Sequence, residues 1–176
     1  MTTEQEKTLE AVKTAIQMEV DGKAFYLEAS HESGNELGRK LFQSLAAEED
    51  LHRQRFEEIY DTLRSRKAWL KVTLKLDSGK SPKTVFAQAI EGIGSDVKAA
   101  AAELDAVKIS MEMENKTYDF YKDREKNASY DAEKDFYQRL AAEESTHHLV
   151  LLDYYEYLKD PAGWFVKKER PSLDGG

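Results

Sequence analysis

Glu49 and His52 lie three residues apart in the stretch LAAEEDLH (Leu45–His52), and the phrase returns 95 residues later as LAAEESTH (Leu140–His147), with Glu144 and His147 in the same places. On a helix, residues three and four apart share a face, so each copy offers one carboxylate and one imidazole to the same neighbour. Carboxylate oxygen with imidazole nitrogen is a donor set for a divalent transition metal. A single such pair would read as a solvated surface pair. Two at equivalent positions, each with a further glutamate on a neighbouring stripe, read as two halves of one site.

The stripes come from helical periodicity, with apolar residues stepping by three and four. In the second long helix the stripe is Leu45, Glu49, His52, Phe56, Ile59, Leu63, and in the fourth Leu140, Glu144, His147, Leu151, Tyr154, Leu158. The first gives Leu9, Val12, Ile16, Glu19, Lys23, Tyr26, and the third Leu104, Val107, Met111, Glu114, Tyr118, Tyr121. Glutamate interrupts all four and histidine two, where a bundle takes leucine. Burying an ionised carboxylate is costly unless it is paired or bound to a cation. No arginine lies on the stripes, and Lys23 alone cannot balance four charges. Two divalent ions would, with carboxylates bridging between them. Oxygen mixed with imidazole suits iron or manganese, whereas zinc takes fewer ligands. One glutamate from each of two helices plus Glu-x-x-His from each of the other two is the pattern of a di-iron bundle.

Glu48 and Glu143 stand four residues before the same histidines, and the stripes favour Glu49 and Glu144 over them, leaving Glu48 and Glu143 on the flank. His148, one residue off its stripe, and His31, at a helix end, are expected to face solvent. Tyr26 and Tyr121 follow Glu19 and Glu114 by two turns, and Tyr118 follows Glu114 by one. They are candidates either for hydrogen bonds to ligating carboxylates or for aromatic core filling.

The elements that must hold these residues are helices throughout. The first is expected from Thr3, which has capping-box spacing to Glu6, to Glu32, followed by a turn at Ser33–Asn35. The second runs from Glu36 to Ala68. A connection over residues 69–94 contains a short helix that starts after Ser81-Pro82 and continues through Thr84–Ile93. The third spans Ser95–Lys126, and the fourth follows the turn Asn127–Asp131 and stops at Asp160-Pro161. Residues 161–176 read as a tail anchored by Trp164 and Phe165. Leu9–Tyr60 and Leu104–Tyr155 align without gaps at 16 identities in 52 positions. The expected fold is therefore all-α: a four-helix bundle over residues 1–160, built from two repeated helix pairs joined by a long crossover.

Composition narrows the function classes. The chain has 176 residues, a formal charge of −8 and no basic block, which argues against nucleic-acid or anionic-membrane binding. With no cysteine there is no disulfide, thiolate metal site or thiol catalysis. The first residues carry no apolar signal core, and no apolar run is long enough to span a bilayer, so a cytoplasmic location is expected.

The stretches AIQMEVDGKAFY (Ala15–Tyr26), LAAEEDLH, EMENKTYDFY (Glu112–Tyr121) and LAAEESTH resemble the rubrerythrin branch of the ferritin-like superfamily. The resemblance implies carboxylate-bridged iron that reacts with hydrogen peroxide or dioxygen. It makes Glu49 and Glu144 bridging ligands, with Glu19, His52, Glu114 and His147 terminal, and it implies a homodimer. Typical rubrerythrins add a rubredoxin domain whose four cysteines hold an iron that passes electrons inward. This chain has no such cysteines, so turnover requires an external electron donor such as a rubredoxin-like protein. They also carry an extra carboxylate one turn after the third helix's ligand, where this chain has Thr117. The leading expectation is a di-iron oxidoreductase that reduces peroxide or dioxygen in oxidative-stress protection. The alternatives are a ferroxidase or iron-handling protein, and a non-enzymatic helical interaction domain.

Overall fold

The computed structural model describes residues 3–66, 69, 81–91 and 101–169. Within them the order is α1 (Thr3–Glu32), α2 (Glu36–Arg66), α3 (Pro82–Ile90), α4 (Ala101–Lys126), α5 (Asp131–Lys159) and α6 (Pro161–Glu169), with no strand among the described residues. α1 packs along α2 and α4 along α5, giving two helix hairpins, and α3 rests against α2 and α5. This is the all-α bundle of two repeated pairs. The expected end of the second helix at Ala68, the start of the third at Ser95 and parts of the crossover 69–94 and of the tail lie outside the described residues. No described helix is long and apolar enough to cross a membrane.

Local chemistry sets the helix ends. Asn35 Oδ1 accepts the Gly38 N–H at 2.8 Å, satisfying one of the free donors at the start of α2. Ser81 caps α3, its hydroxyl accepting from Thr84 N at 3.3 Å, with Pro82 in the first turn. Glu133 reaches back one turn from inside α5 to accept the Ser129 N–H at 2.9 Å. The tail begins with structure that the sequence reading did not assign. Asp160 Oδ1 accepts from Gly163 N at 3.0 Å and Pro161 sets the first turn, so the pair that ends α5 also starts α6. Trp164 buries its ring against Tyr157, Phe86 and Phe165 and donates its indole N–H to Asp153 at 2.9 Å.

Two hydrophobic clusters fill the bundle. One gathers Tyr26, Leu37, Leu41, Phe42, Leu45 and Tyr154, the other Val12, Phe56, Ile59, Tyr121, Tyr137 and Leu140. The stripes of α2 and α5 are buried at every position read from the sequence. Those of α1 and α4 are turned by one residue in places. Ala15, Gly22 and Ser110 are buried, while Ile16, Lys23, Met111 and Tyr118 are only partly so. Small residues carry little hydrophobic signal, so periodicity picks their larger neighbours.

A polar knot ties the α1–α2 turn to α4 and α5. Glu103 Oε1 accepts from Ser33 Oγ (2.6 Å), Tyr154 OH (2.5 Å) and Asn35 Nδ2 (2.9 Å). A Cβ on Gly38 would sit 2.3–2.4 Å from Glu103 Oε1, Ser33 Oγ and Tyr154 OH. Gly38→Ala is therefore expected to destabilise the chain by about 1–3 kcal/mol through overpacking. That exceeds the helix-propensity gain of roughly 1 kcal/mol. Thermal melts check the sign, and a G38A chain that melts higher than the parent would contradict the packing.

Candidate metal centre

α1, α2, α4 and α5 each bring one buried glutamate to the same level of the bundle. Glu19, Glu49, Glu114 and Glu144 are all 4% exposed or less, as are His52 and His147. Two overlapping clusters result, Glu19–Glu49–His52–Glu144 and Glu49–Glu114–Glu144–His147, each with one ligand atom per residue within 4.8 Å of the others. Glu49 and Glu144 belong to both. His52 Nδ1 lies 3.4 Å from Glu19, 3.6 Å from Glu144 and 3.9 Å from Glu49. His147 Nδ1 repeats the pattern at 3.5 Å from Glu114, 3.7 Å from Glu144 and 3.9 Å from Glu49. The two imidazoles stack with centroids 6.1 Å apart.

Among the described residues, several of these buried atoms have no hydrogen-bond partner: Glu19 Oε2, Glu114 Oε2, Glu144 Oε1, and Nδ1 of both histidines. A buried polar atom without a partner is costly, and five gathered at one place form a donor set without an acceptor. Metal ions are what such a set fits. Lys23 does not balance these charges, because it is partly exposed and pairs with Asp50 at 2.8 Å.

The electrostatics carry the same tension. Burial pushes Glu49 far above the usual carboxylate range, and the charges of Glu19 and Glu144 add to the shift. Burial, with the charge of Glu114, does the same to Glu144. Burial also pushes Glu19 and Glu114 upward, but is outweighed. The charge of His52, the neighbouring Glu49 carboxyl and the hydrogen bond from Tyr121 hold Glu19 low. The neighbouring Glu144 carboxyl, the charge of His147 and the hydrogen bond from Tyr26 bring Glu114 to about 2. Burial disfavours charge on both histidines, yet Glu19 and Glu143 beside His52, and Glu114, Glu144 and Glu48 beside His147, raise them well above their ordinary value. Without a cation, the cluster must hold protons in its place.

The tyrosines cross between the repeats. Tyr26 donates to Glu114 and Tyr121 to Glu19, both phenols fully buried. Tyr118 is half-buried against the apolar cluster around Tyr121. His31 is exposed, whereas His148 is half-buried, its Nδ1 3.3 Å from the Met111 carbonyl. That corrects its solvent-facing assignment: the α4 backbone passes beside it.

Glu48 and Glu143 have a place that the sequence reading missed. His52 Nε2 lies 2.7 Å from Glu143 Oε2, and His147 Nε2 lies 3.0 Å from Glu48 Oε2. Each histidine thus turns Nδ1 to the cluster and Nε2 to a carboxylate from the other repeat. Such a carboxylate fixes tautomer and ring orientation. The Glu-Glu doublet in each AAEE was the available signal. Its meaning depends on α2 facing α5, which no local pattern states. Glu48→Gln and Glu143→Gln are each expected to weaken metal binding about 10–100-fold while leaving the fold intact. Metal competition titrations check this, and an unchanged affinity would remove both residues from the account.

Beside Glu49 and Glu114, Met18, Gly22, Tyr26, Met113 and Thr117 line a cavity of about 20 Å³, room for roughly one water-sized molecule. Thr117 Oγ1 donates to the Met113 carbonyl at 3.1 Å, so its hydroxyl is engaged by its own helix.

A family model described as rubrerythrin matches residues 10–155, which span all six of these glutamates and histidines. No curated protein and no solved structure matches the chain.

Proposed function

Because the chain belongs to the rubrerythrin family, we propose that it is a di-iron oxidoreductase that reduces hydrogen peroxide or dioxygen with electrons from an external donor. The observation that carries this reading is the sharing of Glu49 and Glu144 between the two four-residue clusters. Shared carboxylates are what a bridged pair of ions requires, and a single-ion site has no use for the second histidine. In this reading Glu19 and His52 would hold one ion and Glu114 and His147 the other, with Glu49 and Glu144 within reach of both. Manganese fits the same donors.

When bound, the iron pair supplies the electrons that break an O–O bond. The chain does the rest. Tyr26 and Tyr121 fix the orientation of Glu114 and Glu19 through their phenolic protons. Glu48 and Glu143 hold the histidine rings across the bundle. The two apolar clusters keep bulk water out, which strengthens every charge interaction inside. The cavity beside Glu49 and Glu114 is too small for an organic substrate, which favours a small oxidant such as peroxide or dioxygen. A homodimer and a cytoplasmic setting belong to the same proposal, and sedimentation of the purified chain checks the first.

The test is rapid mixing of anaerobically ferrous-loaded protein with peroxide or with dioxygen, following the ferric absorbance. Much faster oxidation by peroxide is the expected result. Faster oxidation by dioxygen would move the chemistry to an oxidase or an iron-handling role, and an absence of iron binding would overturn the proposal.

A further inference from the structure

Each repeat packs an aromatic ring from its second helix against the paired tyrosine, and the two rings differ. Tyr26 stacks on Phe42 at 6.1 Å, and Tyr121 packs on Tyr137 at 5.8 Å. Phe42 and Tyr137 are equivalent positions, 95 residues apart. Tyr137 is fully buried, and its hydroxyl has no hydrogen-bond partner among the described residues. A buried phenol without a partner is a cost that phenylalanine avoids, as the other repeat shows. Next to it stands Trp69, 5.7 Å away between ring centroids, also largely buried, its indole N–H likewise without a partner among the described residues. Packing alone accounts for neither polar ring.

What the hydroxyl and the indole add is oxidisability. Tyrosine and tryptophan give up one electron far more readily than phenylalanine does. From Glu19 outward, Tyr121, Tyr137 and Trp69 form an unbroken series of such rings, each step under 6 Å, and Trp69 is 8% exposed at its outer end. The corresponding series in the other repeat runs Tyr26, Phe42, Tyr154, Phe86, Trp164, and phenylalanine interrupts it twice. The chain has no cysteine to hold a redox cluster of its own.

We propose that Trp69, Tyr137 and Tyr121 are a one-electron relay between a soluble one-electron donor and the buried centre, an inference that rests on the redox reading above. Tyr121 gives one electron inward while its phenolic proton passes along the hydrogen bond to Glu19. Trp69 then gives one electron, through the Tyr137 ring, to the Tyr121 radical, which recovers that proton. The donor, a small reduced redox protein, returns one electron to the Trp69 radical cation. Each passage consumes one electron from the donor and leaves the three side chains and Glu19 as they began.

The test needs no iron. The full chain, with redox-inert zinc added or with no metal added, is mixed with a ruthenium polypyridyl photo-oxidant and flashed. Transient absorption then follows the tryptophan radical and its conversion to a tyrosyl radical, which drives the same three-ring path in reverse and so reports its coupling. The chain has two tryptophans, so W69F and W164F separate the routes. The expected result is that W164F keeps the tyrosyl radical and W69F loses it. Y121F should also lose it, and Y137F should slow the conversion, with melting curves showing each variant folded. Retention of the tyrosyl radical in W69F, or conversion unchanged in Y137F and Y121F, would overturn the relay. Because iron is absent throughout, failure here leaves the di-iron proposal standing, and failure of iron binding leaves this result readable.

Discussion

Replacing Glu49 and Glu144 together by leucine raises the stability of the metal-free chain and abolishes paired-metal binding. Both carboxyls are pushed far above their ordinary range by burial and by their neighbours' charges, so in the absence of metal they are crowded acids in an apolar place. Their removal leaves two separate pairs, Glu19 with His52 and Glu114 with His147, each carboxylate still held by a tyrosine. Exchanging buried polar groups for apolar ones of similar volume stabilises by about 1–4 kcal/mol in favourable cases. For a chain of this size that is about 2–4 °C in melting temperature for each kcal/mol. The same variant loses both bridging positions, so ferrous ion should no longer bind as a pair. Melting curves in chelator, with metal analysis of the loaded protein, check the two halves. A double variant that melts lower without metal would show that these glutamates serve the fold and not a site.

The second large effect is on pH. His52 and His147 are raised above 6.5 in the folded chain, so their contribution is complete below about 6.5 and lost as pH rises through their folded values. Glu49 and Glu144 are also raised, so theirs is complete below about 4.5 and lost as pH rises through their folded values. Glu19 and Glu114 act in the opposite sense, losing their contribution as pH falls, toward about 2 for Glu114. The metal-free chain should therefore be most stable near pH 4.5, lose stability as pH rises above that, and lose it more steeply above about 6.5, where the histidines join the carboxyls. Metal binding reverses the trend, because the ions need deprotonated carboxylates and neutral imidazoles. Loading should release protons from Glu49, Glu144, His52 and His147. Calorimetry in buffers of different ionisation enthalpy measures that release, and a heat independent of buffer would contradict it.

How much of this could be read from the chain follows from residue size and from distance in sequence. Large residues made the stripes of α2 and α5 legible, and the two AAEE phrases with their histidines marked the level of the site. Ala15, Gly22 and Ser110 hid the true buried face of α1 and α4, because small side chains do not register as hydrophobic. The crossed contacts were out of reach. Tyr26 with Glu114, Tyr121 with Glu19, and Glu143 with His52 join residues roughly 90–100 apart, and only the packing of one hairpin on the other brings them together. The α6 helix did leave a trace, since Asp160, Pro161 and Gly163 are the cap, first-turn and close-approach residues of a helix start. The same residues end α5, so in the sequence they read as a stop. The knot of Ser33, Asn35, Glu103 and Tyr154 left no pattern, each residue being ordinary in its own segment.

Anomalous scattering at the iron edge, from crystals of the ferrous-loaded chain, tests the central claim most directly. Two peaks per chain, about 3.5–4 Å apart, one among Glu19, Glu49, His52 and Glu144 and the other among Glu49, Glu114, Glu144 and His147, are the predicted result. A single peak, or iron bound only outside these six side chains, would contradict it.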